Sequence, residues 1–219
     1  MIGAYLTPDG AEEYAVTFDR SRSTRLLVLP ALFDEGNKLR HFTIEVMRRL
    51  DTAGIDTFLP DLPGCNESLA PLEQQSLSRW RAAAAAAGTQ FHASHGLSIR
   101  GGALCEPADM PCIRYATATG ASLQRGLLRA RLVSSKEAGV NEDRDTLLSE
   151  GRIRGLELAG FRIGAELFRE LEQAEPHSDP VLAVAQSDLG GASLWLRAEP
   201  SHSPEQADKL ATIIGHHLS

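Results

Sequence analysis

"TRLLVLPAL", residues 24–32, decides the fold. The run is apolar without interruption and lacks the alternation of a strand wetted on one face. It therefore predicts a strand buried on both faces, as in a parallel sheet covered by helices. Upstream, "GAYLT" (3–7) and "EEYAVTF" (12–18) flank the turn signal "PDG" and predict an antiparallel hairpin. Downstream, "NKLRHFTIEVMRRLDTAG" (37–54) places Leu39, Thr43, Val46, Met47 and Leu50 at helical spacing, and Gly54 supplies a stop.

The alternation continues outward. "IDTFLP" (55–60) predicts a strand that ends in the turn-rich "DLPGCNES", and "LEQQSLSRWRAAAAAAG" (72–88) a helix whose polyalanine tract favours close packing. "FHASHGLSIRGGALC" (91–105) and "PCIRYATA" (111–118) supply two more strands. Residues 120–175 break the pattern: "ASLQRGLLRARLVSS", "EDRDTLLSEG" and "GAELFRELEQ" are helical, with two short strands around Gly160 in "RGLELAGFRIG". The sheet resumes at "PVLAVAQSD" (180–188) and again at "ASLWLRA" (192–198). In "SPEQADKL", Ser203 as N-cap, Pro204 at the first helical position and Gln206 three after the cap predict a capping box. The expected class is α/β. A single domain over 1–219 has a mostly parallel central sheet, an N-terminal antiparallel hairpin, helices on both faces and an insertion at about 120–175.

A chain of 219 residues with a formal charge of -7 does not favour nucleic acid or an anionic membrane, both of which reward clustered cations. The runs "MRRL" and "RGLLRAR" read as solvated helix faces, with no basic patch. Neither a basic-then-apolar leader nor a long apolar run is visible, so the expected location is the cytoplasm. Cys65, Cys105 and Cys112 are odd in number and lack metal-ligand spacing, which predicts reduced structural thiols. His92 and His95 point to opposite faces of a predicted strand, and "RGGALC" lacks the lysine of a phosphate loop. No cofactor and no metal are expected.

"LVLPALFDEGNKLRHF" (27–42) and then "LDTAGIDTFLPDLPGCNES" (50–68) resemble the bacterial α/β-hydrolase-type proteins associated with exosortase A systems and exopolysaccharide loci. "GLLRARL" (126–132) and "LLSEGRIRGLELAGFRIGAELFREL" (147–171) resemble the later part of that family, so the likeness runs from about residue 25 to 170. It implies an α/β-hydrolase-like fold with a cap-like insertion and the label of hydrolase. Asn66 stands where the family has a glycine; asparagine tolerates the left-handed conformation better than most residues.

In such a fold the nucleophile sits on a strained turn between strand and helix, and the residues two before and two after it must be small. Ser98 has Gly96 before it but Arg100 after it; Ser94 has Gly96 after it but His92 before it. Arg100 has Ser98 and Gly102, so "SIRGG" passes the steric test, and the family's Gly-Leu-Arg-x-Gly-Ala corner aligns with it. The family comparison and the sterics favour Arg100 at the apex, with Ser98 and Ser94 as competitors. Arginine offers donors and no lone pair, so it suits a carboxylate, phosphate or acidic sugar rather than nucleophilic attack. Alternatively it pairs with Asp34 or Glu35 and only holds loops together.

A triad would draw its acid from Asp188 and its histidine from His202, only 14 residues apart; Asp188 reads more readily as a turn former. Oxyanion donors would be backbone N–H groups of Ala31, Leu32 and Gly101. Asp34, Glu35, Asn37, Lys38 and Arg40 cluster past the third strand, where ligands bind in open α/β sheets, and are expected to converge there with Arg100 and His202. Helix capping by Asp34 and Glu35 is the alternative. Three readings follow. One is a degenerate α/β-hydrolase that binds an anionic small molecule or a partner in an exosortase or exopolysaccharide context. The second is a serine esterase or thioesterase using Ser98 or Ser94 with His202 and Asp188. The third is a structural subunit, a possible homo-oligomer, whose insertion forms an interface.

Overall fold

The computed structural model describes residues 1–177 and 179–218. Strands β1 (Ile2–Leu6) and β2 (Glu12–Phe18) form the expected antiparallel hairpin, with Ile2 opposite Val16. β3 (Arg25–Leu29) and β4 (Asp56–Pro60) flank helix α1 (Asp34–Thr52). Helix α2 (Leu77–Gln90) precedes β5 (His95–Ile99), and β6 (Cys112–Tyr115) follows. The insertion holds α3 (Gly120–Glu137), α4 (Arg144–Arg154), the hairpin β7 (Leu156–Leu158) and β8 (Phe161–Ile163), and α5 (Ala165–Gln173). β9 (Leu182–Val184), the short α6 (Gln186–Leu189) and α7 (Pro204–Leu218) complete the chain.

The main sheet runs β1-β2-β4-β3-β5-β6-β9. The β1–β2 and β2–β4 pairs are antiparallel, and every pair from β4–β3 to β6–β9 is parallel. β3 lies at the centre, and its side chains split between the two faces as strand geometry demands. Leu27 and Leu29 join the core under α2 and the insertion; Leu26 and Val28 join the core under α1 and α7. Both faces are dry, so the apolar run of β3 needs no polar alternation. The polyalanine tract puts Ala83, Ala84 and Ala87 against the sheet beside the fully buried Trp80.

Several expectations are corrected. "ASLWLRA" is not a strand: Leu194–Leu196 form a 3-10 turn after Gly190 and Gly191, both at positive φ. Trp195 packs instead against Tyr115, which draws the segment out of the sheet direction. The helix expected over 72–88 starts at Leu77, where Ser76 accepts from Arg79 N–H; Leu72–Gln74 are a separate 3-10 turn. The strand expected to begin near residue 91 begins at His95, and His92 sits in a turn at φ 50. Only half of the capping box forms: Ser203 accepts from Gln206 N–H, but the Gln206 side chain donates to the carbonyls of Gly190 and Ala192. Cys65, Cys105 and Cys112 are free, and burial pushes the thiols of Cys65 and Cys112 up to about 12. No helix among the described residues is long and apolar enough to cross a membrane.

Candidate functional site

β5 ends at Ile99, and the chain turns at once into a 3-10 helix, Arg100–Cys105. Arg100 occupies the junction with φ 54, a left-handed conformation rare for a residue with a side chain. The turn is tight because the neighbouring strand crowds it. A Cβ on Gly102 would stand 2.4 Å from the Leu29 carbonyl oxygen and 2.7 Å from that of Pro30. Only glycine fits there.

The Arg100 side chain is almost fully engaged. Its Nε and Nη2 donate to both Glu35 carboxylate oxygens at 3.0 and 2.8 Å, and Nη1 donates to the Ala116 carbonyl at 2.7 Å. The guanidinium carbon lies 4.2 Å from the centre of the Trp195 ring, within cation–π range. Trp195 meets Tyr115 edge-on at 6.1 Å. The 3-10 turn that replaces the expected last strand is therefore what delivers Trp195 to Arg100. Sequence reasoning missed Trp195 and the Ala116 carbonyl; one of only two tryptophans, beside a Gly-Gly turn, was the available signal.

The polar cluster after β3 divides. Phe33, at φ 57, stands in the N-cap position of α1 and caps with no side-chain bond, so neither Asp34 nor Glu35 is the cap. Both lie in the first helical turn, where carboxylates offset the helix dipole. Asp34 pairs with Lys38 at 2.7 Å, and Glu35 with Arg100. Asn37 and Arg40 face a different space, a cavity of about 120 Å³ bordered also by Ala31, Leu32, Cys65, Asn66 and Phe161. Arg40 and Asn66 of that lining both donate to the buried Asp61 carboxylate, at 3.2 and 2.8 Å. Asn66 holds φ 50, the left-handed conformation expected of it.

The serine, histidine and aspartate candidates are dispersed. Ser98 is fully buried, and its hydroxyl donates to Glu106, which is also paired with Arg114 at 2.9 Å. Ser94 precedes β5 at the opposite end of the strand from Arg100; its hydroxyl donates to the Arg25 carbonyl at 3.1 Å and lies 3.0 Å from His95 Nδ1. His202 stacks on His41 of α1 with ring centres 4.3 Å apart, and its Nδ1 has no hydrogen-bond partner. Asp188 is exposed and accepts from its own helix's entry at Ala185 N–H, 2.7 Å. No hydrogen bond among the described residues joins these four into a relay or links His202 to Arg100 or to the polar cluster. No group of three or more His, Cys, Asp or Glu among the described residues could hold a metal ion.

A larger cavity, about 730 Å³, opens between the start of α1, the length of α3 and the Leu194–Leu196 turn. Its walls are mainly apolar, with Leu32, Phe33, Leu123, Leu127, Trp195 and Leu196; Asp34, Glu35, Lys38, Arg129 and Glu137 also border it. It lies at the carboxyl ends of the strands, where open α/β sheets bind ligands.

No family profile matches the chain, and no curated protein sequence does. Solved structures match its fold. A hydrolase candidate from Agrobacterium vitis S4 superposes with a TM-score of 0.62 at 12% identity, over 100% of this chain and 99% of that one. Alpha/beta hydrolase domain-containing protein 10 from mouse gives 0.51 at 14% identity, over 78% and 69%. The bottromycin epimerase BotH, solved with bottromycin A2, gives 0.50 at 12% identity, over 100% and 99%. The fold is that of the α/β-hydrolases.

Proposed function

We propose that this chain is a binding protein on an α/β-hydrolase fold, with Arg100 at the position the fold gives its nucleophile and no acyl-transfer chemistry. One observation carries the reading: the residue at the positive-φ end of β5 is an arginine locked to Glu35, Ala116 and Trp195. Nucleophilic catalysis needs an oxygen or sulfur within reach of a base, and a guanidinium supplies neither. Ser98 is closed off against Glu106, and His202 has its partner in His41.

The ligand would occupy the 730 Å³ cavity. Its walls suit a small molecule with an apolar body. Arg100 is a poor anion receptor while Glu35 neutralises it, and Asp34 neutralises Lys38 in the same way, so an anionic group would meet Arg129 instead. BotH, a structural neighbour named an epimerase and solved with bottromycin A2, supports separating this fold from hydrolysis. The exosortase or exopolysaccharide context rests on the sequence resemblance alone.

A serine-directed fluorophosphonate probe tests the reading. No labelling of the folded protein is expected, and no turnover of p-nitrophenyl esters. Labelling at Ser98 or Ser94 that disappears in His202→Ala would overturn it in favour of a serine esterase.

A further inference from the structure

Two of the three cations in the "RGLLRAR" run, Arg125 and Arg129, have no acid paired with them among the described residues, whereas Arg131 has Glu142. Among the described residues, most of the 22 Lys and Arg side chains are tied down in ion pairs or hydrogen bonds, as with Arg131 to Glu142 and Arg169 to the Arg152 carbonyl. Five side chains have neither: Arg79, Arg125, Arg129, Lys136 and Arg144. The last four line one groove of about 580 Å³ between α3 and α4, together with Leu128, Leu132 and Val133. All four cations are exposed, Leu128 is buried in the floor and Val133 is half exposed.

The arrangement costs the fold something locally. At about 100° per residue, Arg125, Arg129 and Lys136 fall within about 40° of one another on α3. Like charges at i and i+4, as in Arg125 and Arg129, destabilise a helix. Arg144 is the first residue of α4, where the helix dipole disfavours a cation. Two local rules are broken on the same groove, without a carboxylate lining it.

We infer that the groove between α3 and α4 is a docking surface for an acidic amphipathic helix of a partner protein. Its cations complement glutamates, and Leu128, Leu132 and Val133 take the apolar face. The row from Arg125 to Lys136 is about 16 Å long, matching three turns of a bound helix. A flat anionic membrane would not enter a concave groove, and the net charge of -7 opposes its approach.

The test uses the whole chain and a fluorescein-labelled synthetic helix with leucine every third or fourth residue and glutamate beside each leucine. Saturable binding by anisotropy is expected, weakened about tenfold or more by R125E/R129E. The charge-reversed variant is expected to bind a lysine-for-glutamate version of the helix that the parent protein ignores. That gain, with an unchanged thermal midpoint, separates lost docking from lost folding. The inference is overturned if the acidic helix does not saturate, binds R125E/R129E equally well, or binds as tightly with its leucines changed to alanine. It is also overturned if phosphatidylglycerol vesicles bind in place of the peptide, or if the protein self-associates through these arginines, which would make a second copy the occupant.

Discussion

Arg100 combines a backbone conformation that side chains disfavour with a side chain whose partners compensate for it. Removing one partner should therefore expose the other. Arg100→Met leaves the Glu35 carboxylate without its bidentate donor and is expected to cost about 1.5–3 kcal/mol in urea unfolding. Arg100→Met combined with Glu35→Leu should cost less than the two single changes added together, because the stranded charge is gone. Ser98 behaves differently. Ser98→Ala should cost only about 1 kcal/mol, since Glu106 keeps Arg114. Arg114→Met, which strands a buried carboxylate, should cost about 3–5 kcal/mol. At this scale the sequence was partly legible. The small residues around position 100 identified the crowded turn, and Asp34 and Glu35 were named as partners. Choosing Glu35 required the first turn of α1, which residue spacing alone does not orient.

Elements differ in how much room they leave. Gly102→Ala, at the β5 corner, would drive a Cβ into two backbone carbonyls that cannot move without β3. The expected loss is about 3 kcal/mol, the upper end for overpacking, read as a lowered thermal midpoint. Gly126→Ala, in the middle of α3 with nothing within 4 Å, should instead stabilise by about 0.5–1 kcal/mol. Most elements were readable because period and punctuation agreed: the buried run of β3, the hairpin turn and the capped α7. The stretch "ASLWLRA" was misread because a short apolar run has no period of its own. Tertiary contact decided it: Trp195 leaves the sheet direction to cover Arg100 and Tyr115.

The molecule as a whole is held partly by carboxylates in ion pairs, and this sets its acid response. The Arg25 guanidinium holds Asp19 down from 3.8 to about 2, and Arg131, then Ser135, hold Glu142 down from 4.5 to about 2. A lowered folded-state pKa contributes stability above the unfolded value, and that contribution disappears as pH falls through the folded one. Urea midpoints should therefore be flat near neutrality and fall between about pH 4 and pH 2. Arg131→Gln should make that fall shallower. The dispersal of Ser94, Ser98, Asp188 and His202 also belongs to this scale: chain order is visible in a sequence, but which end of a sheet each residue reaches is not. Charge is just as unevenly spread. A net -7 molecule that gathers four of its five unmatched cations on α3 and α4 has a strong electric moment. Near an acidic helix the protein would feel a torque before it felt attraction, and would arrive groove first.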